Sequence, residues 1–150
     1  AELEVPFAML FGKALIELRL QGEAARIAGE VALLSPSRER AADRIAAGDP
    51  TEAFLAGLAR GKLACTTAPN SLGRAIAEAF TAPKPSTEAQ SLLDASRRGE
   101  AILVAIEDIG RGVEGDLRGV TEGLSLLRLV GLDEVAKRTA LELMILERRG

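Results

Sequence analysis

The sequence predicts an all-α protein of eight or nine short helices, for three reasons. Apolar residues recur at three- and four-residue steps through most of the chain, as at Leu117, Val120, Leu124 and Leu127. No run alternates long enough for a half-buried strand, and Ala101 to Ile106 continues a helical period at Ile109. The apolar content is mainly Ala, Leu, Val and Ile, with four Phe and no Tyr or Trp, which suits helices packed closely through small and aliphatic side chains.

The first helix is expected over Val5–Leu20, with Phe7, Leu10, Phe11, Ala14, Leu15 and Leu18 on one face turned to a core. Pro6 falls in its first turn, where a missing N–H costs nothing. After a break at Gly22, Glu23–Leu34 carries Ala24, Ile27, Ala28, Val31 and Leu34 and closes a first hairpin before Pro36. Ser37 is read as the cap of a third helix running to Ala47. Asp49 caps a fourth, with Pro50 at its first position, Glu52 at the capping-box position, and Phe54, Leu55, Leu58 and Leu63 to bury.

Asn70 or Ser71 caps a fifth helix, Leu72–Phe80. Thr81 to Ser86 holds Pro83 and Pro85 and reads as a linker, so the single domain 1–150 is expected to divide into subdomains 1–80 and 86–150 about residues 81–85. A sixth helix runs from Ser86 to Arg98, Gly99 turns the chain, and Glu100–Ile109 forms a seventh. Gly110–Gly115 reads as a loop. The last third, Asp116–Arg148, is an antiparallel pair broken at Gly131, which without a Cβ adopts positive φ readily. Asp133 is read as the cap of the final helix, which carries Val135, Ala136, Ala140, Leu143 and Met144.

Composition excludes several classes of function. The net charge of −3 creates no positive field for nucleic acid, and aromatic platforms for base stacking are absent. No run approaches the roughly 18 apolar residues of a membrane span. The lack of histidine removes Ser-His-acid and Cys-His catalysis and every histidine-containing zinc site. Cys65 alone cannot make an internal disulfide, so cytoplasm and periplasm are both compatible. The chain begins at Ala1 without a signal pattern, as expected of a processed form or a fragment.

The remaining candidate chemistry divides into several groups. Cys65, beside Thr66 and Thr67 and close to Lys62, reads as a core or incidental thiol in preference to a nucleophile. Gly110-Arg111-Gly112-Val113-Glu114-Gly115 matches the dinucleotide fingerprint in letters, but helical patterns stand where its flanking strands should be. Gly57-Leu58-Ala59-Arg60-Gly61-Lys62 misses the phosphate-loop spacing. Asp108, Glu114 and Asp116 read as solvated loop carboxylates, not a calcium loop. Glu107 and Glu142 lie in apolar helices and are the acids of an enzyme alternative. Arg38, Arg40 and Arg44 form a basic cluster in which Arg40 and Arg44 share a face.

Leu18-Arg19-Leu20-Gln21-Gly22 is echoed, with a two-residue gap, by Leu127-Arg128-Leu129-Val130-Gly131, each preceding a further helix. Gly12, Ala24 and Pro36 keep the spacing of the small residue, alanine and terminal proline of the tetratricopeptide repeat, with Leu15 at an aromatic position; the first hairpin resembles that family over about 30 residues. Glu88–Gly150 is similar to a diverged helical-repeat segment, with Arg98-Gly99-Glu100-Ala101 and Gly131 to Ala136 opening successive helices. The resemblance implies a protein-binding α-solenoid or a fragment of one; the helices are expected to stack as antiparallel hairpins into such a solenoid or into an irregular helical array.

The expected function is therefore a non-catalytic interaction or scaffolding module that receives a helix or peptide of another protein between helical hairpins, with the first, eighth and ninth helices, at the ends of the stack, as the expected interface, self-association included. Phe7, Phe11, Arg40, Arg44, Leu124, Leu127 and Leu143 are the expected partner-binding residues. No catalytic residue, cofactor or metal is assigned, and nucleic acid is not an expected partner. The alternative is a carboxylate enzyme of glycan-cleaving type, or a helical domain that binds a small ligand.

Overall fold

The structure, a computed structural model, describes residues 3–45 and 48–146. Among these residues there are nine helices and no strand: α1 (Glu4–Glu17), α2 (Gly22–Leu33), α3 (Arg38–Ala42), α4 (Pro50–Ala59), α5 (Ser71–Thr81), α6 (Thr87–Asp94), α7 (Arg98–Val113), α8 (Leu117–Leu129) and α9 (Asp133–Leu146). The fold is all-α. The chain forms two compact units, one reaching to Thr67 and including the segment from Leu141, the other Ala68–Ala140. The prolyl connector at 81–85 lies inside the second unit, and the break before it falls after Thr67.

In the first unit α1 packs on α2, α2 on α3 and α3 on α4. The buried residues of α1 are Ala8, Gly12 and Ile16, not the Phe and Leu face expected to be core. The cause is a close crossing: the Gly12 backbone lies against Ser35, where any Cβ would strike the serine side chain. Ser35 is fixed there, its hydroxyl donating to the Ala32 carbonyl at 2.6 Å and accepting from the Ser37 N–H at 3.1 Å. Burying the small-residue face leaves the large apolar side chains of α1 outside.

The third helix ends at Ala42, short of its expected length, and Ala46–Ala47 fall outside the described residues. Its expected cap, Ser37, makes no side-chain capping bond. Asp49 caps α4 as expected, its carboxylate accepting from the Thr51 N–H at 2.6 Å and the Glu52 N–H at 3.3 Å, with Pro50 at the first position. Phe54 to Ala59 are all buried, so α4 is an interior helix without a polar face.

In the second unit α7 packs on α6 and α8, and α8 also packs on α5. Asn70 caps α5 through Gly73 N–H at 2.7 Å, and Ser86 caps α6 through Ala89 N–H at 3.3 Å. Helix α6 stops at Asp94, earlier than expected. Its end is closed by Ser96, which takes a φ of 60°, with the Ser96 N–H bonded to Leu93 O at 2.9 Å and the Arg97 N–H to Leu92 O at 2.8 Å. Gly99, expected as the turn, is the second residue of α7. At the other end α7 runs on to Val113 through Gly110 and Gly112, so most of the expected Gly110–Gly115 loop is helix.

Glycine also sets the α7–α8 contact. A Cβ on Gly119 would strike the Asp108 carbonyl, one on Gly123 would meet the Ala105 carbonyl and Ile109, and one on Gly112 would strike Val120. The two backbones meet almost without intervening side chains. Val120, Leu124 and Leu127 of α8 are buried, joined by Thr121, whose hydroxyl donates to Ala75 O at 3.0 Å. Gly131, at a φ of 80°, ends α8 as expected, with the Leu132 N–H returning to Leu127 O at 2.8 Å. Asp133 is the first residue of α9, not the position before it, and its carboxylate accepts from Arg128 Nε at 3.1 Å. The same guanidinium donates to the Phe80 carbonyl and, at 3.3 Å, to Ala79 O, and lies 4.7 Å from the Phe80 ring centre. One arginine thus caps the end of α5 and stacks on its last aromatic residue.

Candidate functional site

The close crossing that buries Gly12 turns an apolar stripe of α1 to solvent. Leu3 at its start is 80% exposed, Phe7 47%, Leu10 77%, Phe11 49% and Leu18 53%. Phe7 and Phe11 touch across one turn, ring centres 4.9 Å apart and planes tilted by 40°. Of the expected partner-binding residues, these two are on the surface, as are Arg40 and Arg44.

Leu124, Leu127 and Leu143 are not: they are 0%, 3% and 9% exposed, and as interior side chains they are unavailable to a partner. Their regular spacing marks a buried face, and spacing alone does not say whether a neighbour in the same chain already covers it. Arg40 and Arg44 are both exposed, but α3 ends between them, so they do not share one helical face. Arg44 lines a cleft; Arg40 does not.

That cleft, about 870 Å³, lies within the first unit. One wall is α2, where Ala25, Ala28, Gly29 and Ala32, related by three- and four-residue spacings (25/28, 29/32, 25/29 and 28/32), share one face and form a trough of small side chains. Leu15, Ile16, Leu18 and Leu20 form a second wall, and Ala41 and Ile45 a third. Charges rim it: Glu23, Arg26, Glu30, Arg44 and Glu52. Arg26 bridges two of them, at 2.8 Å to the buried Glu30 and 3.2 Å to Glu23. The small residues of α2 were visible in the sequence. Their function as a trough was not, because Ala and Gly fit a tight core equally well.

A second cleft, about 630 Å³, lies within the second unit between α5 and α8. Arg74, Glu78, Lys84, Arg118 and Glu122 bring charge to its walls, and Arg118 pairs with Glu122 at 2.8 Å.

The acidic candidates are dispersed. Glu107 is exposed, Glu142 is half-buried, and neither lines either cleft. Glu114 and Asp116 sit in the α7–α8 turn, Asp116 bonding the Arg118 N–H at 3.2 Å, whereas Asp108 lies inside α7 and is buried. The three do not form one loop cluster, and among the described residues no group of three or more His, Cys, Asp or Glu is placed to hold a metal ion. Cys65 is exposed, not in the core. Among the described residues no helix is long and apolar enough to cross a membrane.

Among the described residues, Asp108 is the carboxyl whose surroundings shift its pKa. Burial pushes its pKa above the ordinary 3.8; Ser86 and the paired Arg111 oppose this, and Glu122 and Glu88 add to it. A folded-state pKa above the unfolded value means that the folded chain holds this proton longer. Its contribution to stability is present below pH 3.8 and is lost as pH rises through the raised value, staying constant above it. Asp108→Asn is expected to remove that slope, so that stability relative to the wild type rises from acid to neutral pH, as read by urea unfolding across an acid-to-neutral series.

Comparison of the chain with protein-family models, curated proteins and solved structures finds no match in any of the three.

Proposed function

We propose that this chain is a non-catalytic helical module that binds an amphipathic helix or peptide of another protein in the cleft of its first unit. The observation that carries the reading is the α2 trough: Ala25, Ala28, Gly29 and Ala32 leave space along a helix axis, and Leu15, Ile16, Leu18 and Leu20 flank it with aliphatic surface. A partner helix with bulky aliphatic residues at three- and four-residue spacing has the complementary relief. Charges of both signs at the rim select its register more than they add affinity. The tetratricopeptide-like spacing of Gly12, Ala24 and Pro36 implies the same use of a hairpin surface. The carboxylate-enzyme alternative draws no support from the clefts, since Glu107, Asp108 and Glu142 line neither.

Gly29→Leu tests the proposal. A Cβ at Gly29 meets only the Ile45 side chain, at 3.6 Å, and no backbone, and replacing a helical glycine raises helix propensity by about 1 kcal/mol. Helical peptides selected against the protein from a displayed amphipathic library are expected to bind the variant at least about tenfold more weakly, with its thermal stability equal or higher. Undiminished binding to a folded Gly29→Leu protein would overturn the assignment of the cleft.

A further inference from the structure

We infer that the outer face of α1 is a homodimer interface, on which a second copy of the chain docks its own α1 antiparallel. Its positions Leu3, Phe7, Leu10, Phe11, Ala14 and Leu18 are all exposed. Their spacing is four, three, one, three and four residues, which reads the same in both directions about the midpoint between Leu10 and Phe11. This suits a two-fold interface, in which residue i of one copy meets residue j of the other and j meets i, on identical surfaces. Antiparallel docking about that midpoint sets Leu3 against Leu18, Phe7 against Ala14 and Leu10 against Phe11. Phe7 then meets the small Ala14 and Phe11 meets Leu10, so each of the six positions has an apolar partner.

The extent of the stripe suits this occupant. Its side chains expose on the order of 500 Å² of apolar surface, so a pair of copies covers about 1,000 Å², near the lower bound for a specific interface, before the stems of flanking residues are added. Charge lies at the edges: Lys13 and Glu17 are exposed, and Glu4 keeps one carboxylate oxygen out of solvent. The register brings Glu17 toward Glu4 of the other copy, a repulsion at the interface ends that salt screens. The stripe is a different surface from the peptide cleft, with which it shares only Leu18.

The test is sedimentation equilibrium of the full chain over a wide concentration range, with Leu10→Asp as the variant. Leu10 is 77% exposed, so the substitution leaves the core intact, and an unchanged helical circular dichroism spectrum verifies that. The wild-type chain is expected to dimerise and Leu10→Asp to raise the dissociation constant by about a hundredfold. Orientation is read in a Cys65→Ser background by mixing Leu3→Cys copies with Leu18→Cys copies: disulfide-linked heterodimers are expected, with little linkage in either population alone. A wild-type chain that stays monomeric, a dimer indifferent to Leu10→Asp, or linkage of Leu3→Cys copies to each other would each overturn the proposal. None of these outcomes bears on peptide binding, which Gly29→Leu reports separately.

Discussion

Gly119→Ala is expected to cost the protein about 3 kcal/mol or more, lowering its thermal midpoint by about 10 °C, although alanine is the better helix former. The added methyl would occupy the position of the Asp108 carbonyl in α7, a backbone atom that cannot swing aside as a side-chain tip does. Helices α7 and α8 must separate, and with them the contacts of Gly123 with Ala105 and Ile109 and of Gly112 with Val120. The control lies in the same pair. Gly110, inside α7, has nothing within 4 Å of an added Cβ, so Gly110→Ala gains helix propensity without a clash and is expected to stabilise by up to about 1 kcal/mol. Opposite signs for one chemical change, measured by thermal unfolding, check the packing assigned to this helix pair. Two changes of the same sign would contradict it.

Leu124→Ala is the second large effect. Leu124 is fully buried in α8, and its truncation removes apolar burial and leaves a cavity, a combination that costs about 3 kcal/mol. Denaturant unfolding is the measurement, with the cost appearing as a lower midpoint at a constant slope. A loss below about 0.5 kcal/mol would place Leu124 on the surface, in the partner-binding role the sequence suggested.

That reversal shows what periodicity conveys. The apolar stripes of α1 and α8 are equally regular, yet Phe7, Leu10 and Phe11 lie outside and Val120, Leu124 and Leu127 inside. Spacing fixes which residues share a face; the neighbours decide whether the face is covered. In α1 a second stripe, Ala8, Gly12 and Ile16, has the same four-residue period and is the one buried, because only a surface that small lets the backbone approach Ser35. Caps were the most legible features, since a side chain bonding an N–H two or three residues ahead depends on nothing distant. Asp49 and Ser86 therefore cap as read, and Asn70 is the cap of the two residues read for α5, whereas Ser37 makes no capping bond and Asp133 lies inside its helix.

Glycines were the least legible. Gly131 ends a helix, while Gly99, Gly110 and Gly112 sit within one and Ser96 takes the left-handed position expected of a glycine. An isolated glycine says that a side chain is absent, not whether the reason is a turn or a neighbour. The trough along α2 was hidden similarly: its residues appeared in the sequence as helix formers, and only the placement of Leu15 to Leu20 and of Ala41 and Ile45 around it makes a cleft.

The glycine contact between α7 and α8 has a thermodynamic corollary. A helix pair that docks through leucines and methionines freezes rotamers as it forms, whereas Gly112, Gly119 and Gly123 have none to freeze. The disorder surrendered there is almost wholly that of the backbone, which glycine has in excess when unfolded. Docking and winding of α8 therefore draw on the same degrees of freedom and should occur together, so that amide protons along its buried turns exchange through one concerted opening and not by gradual fraying.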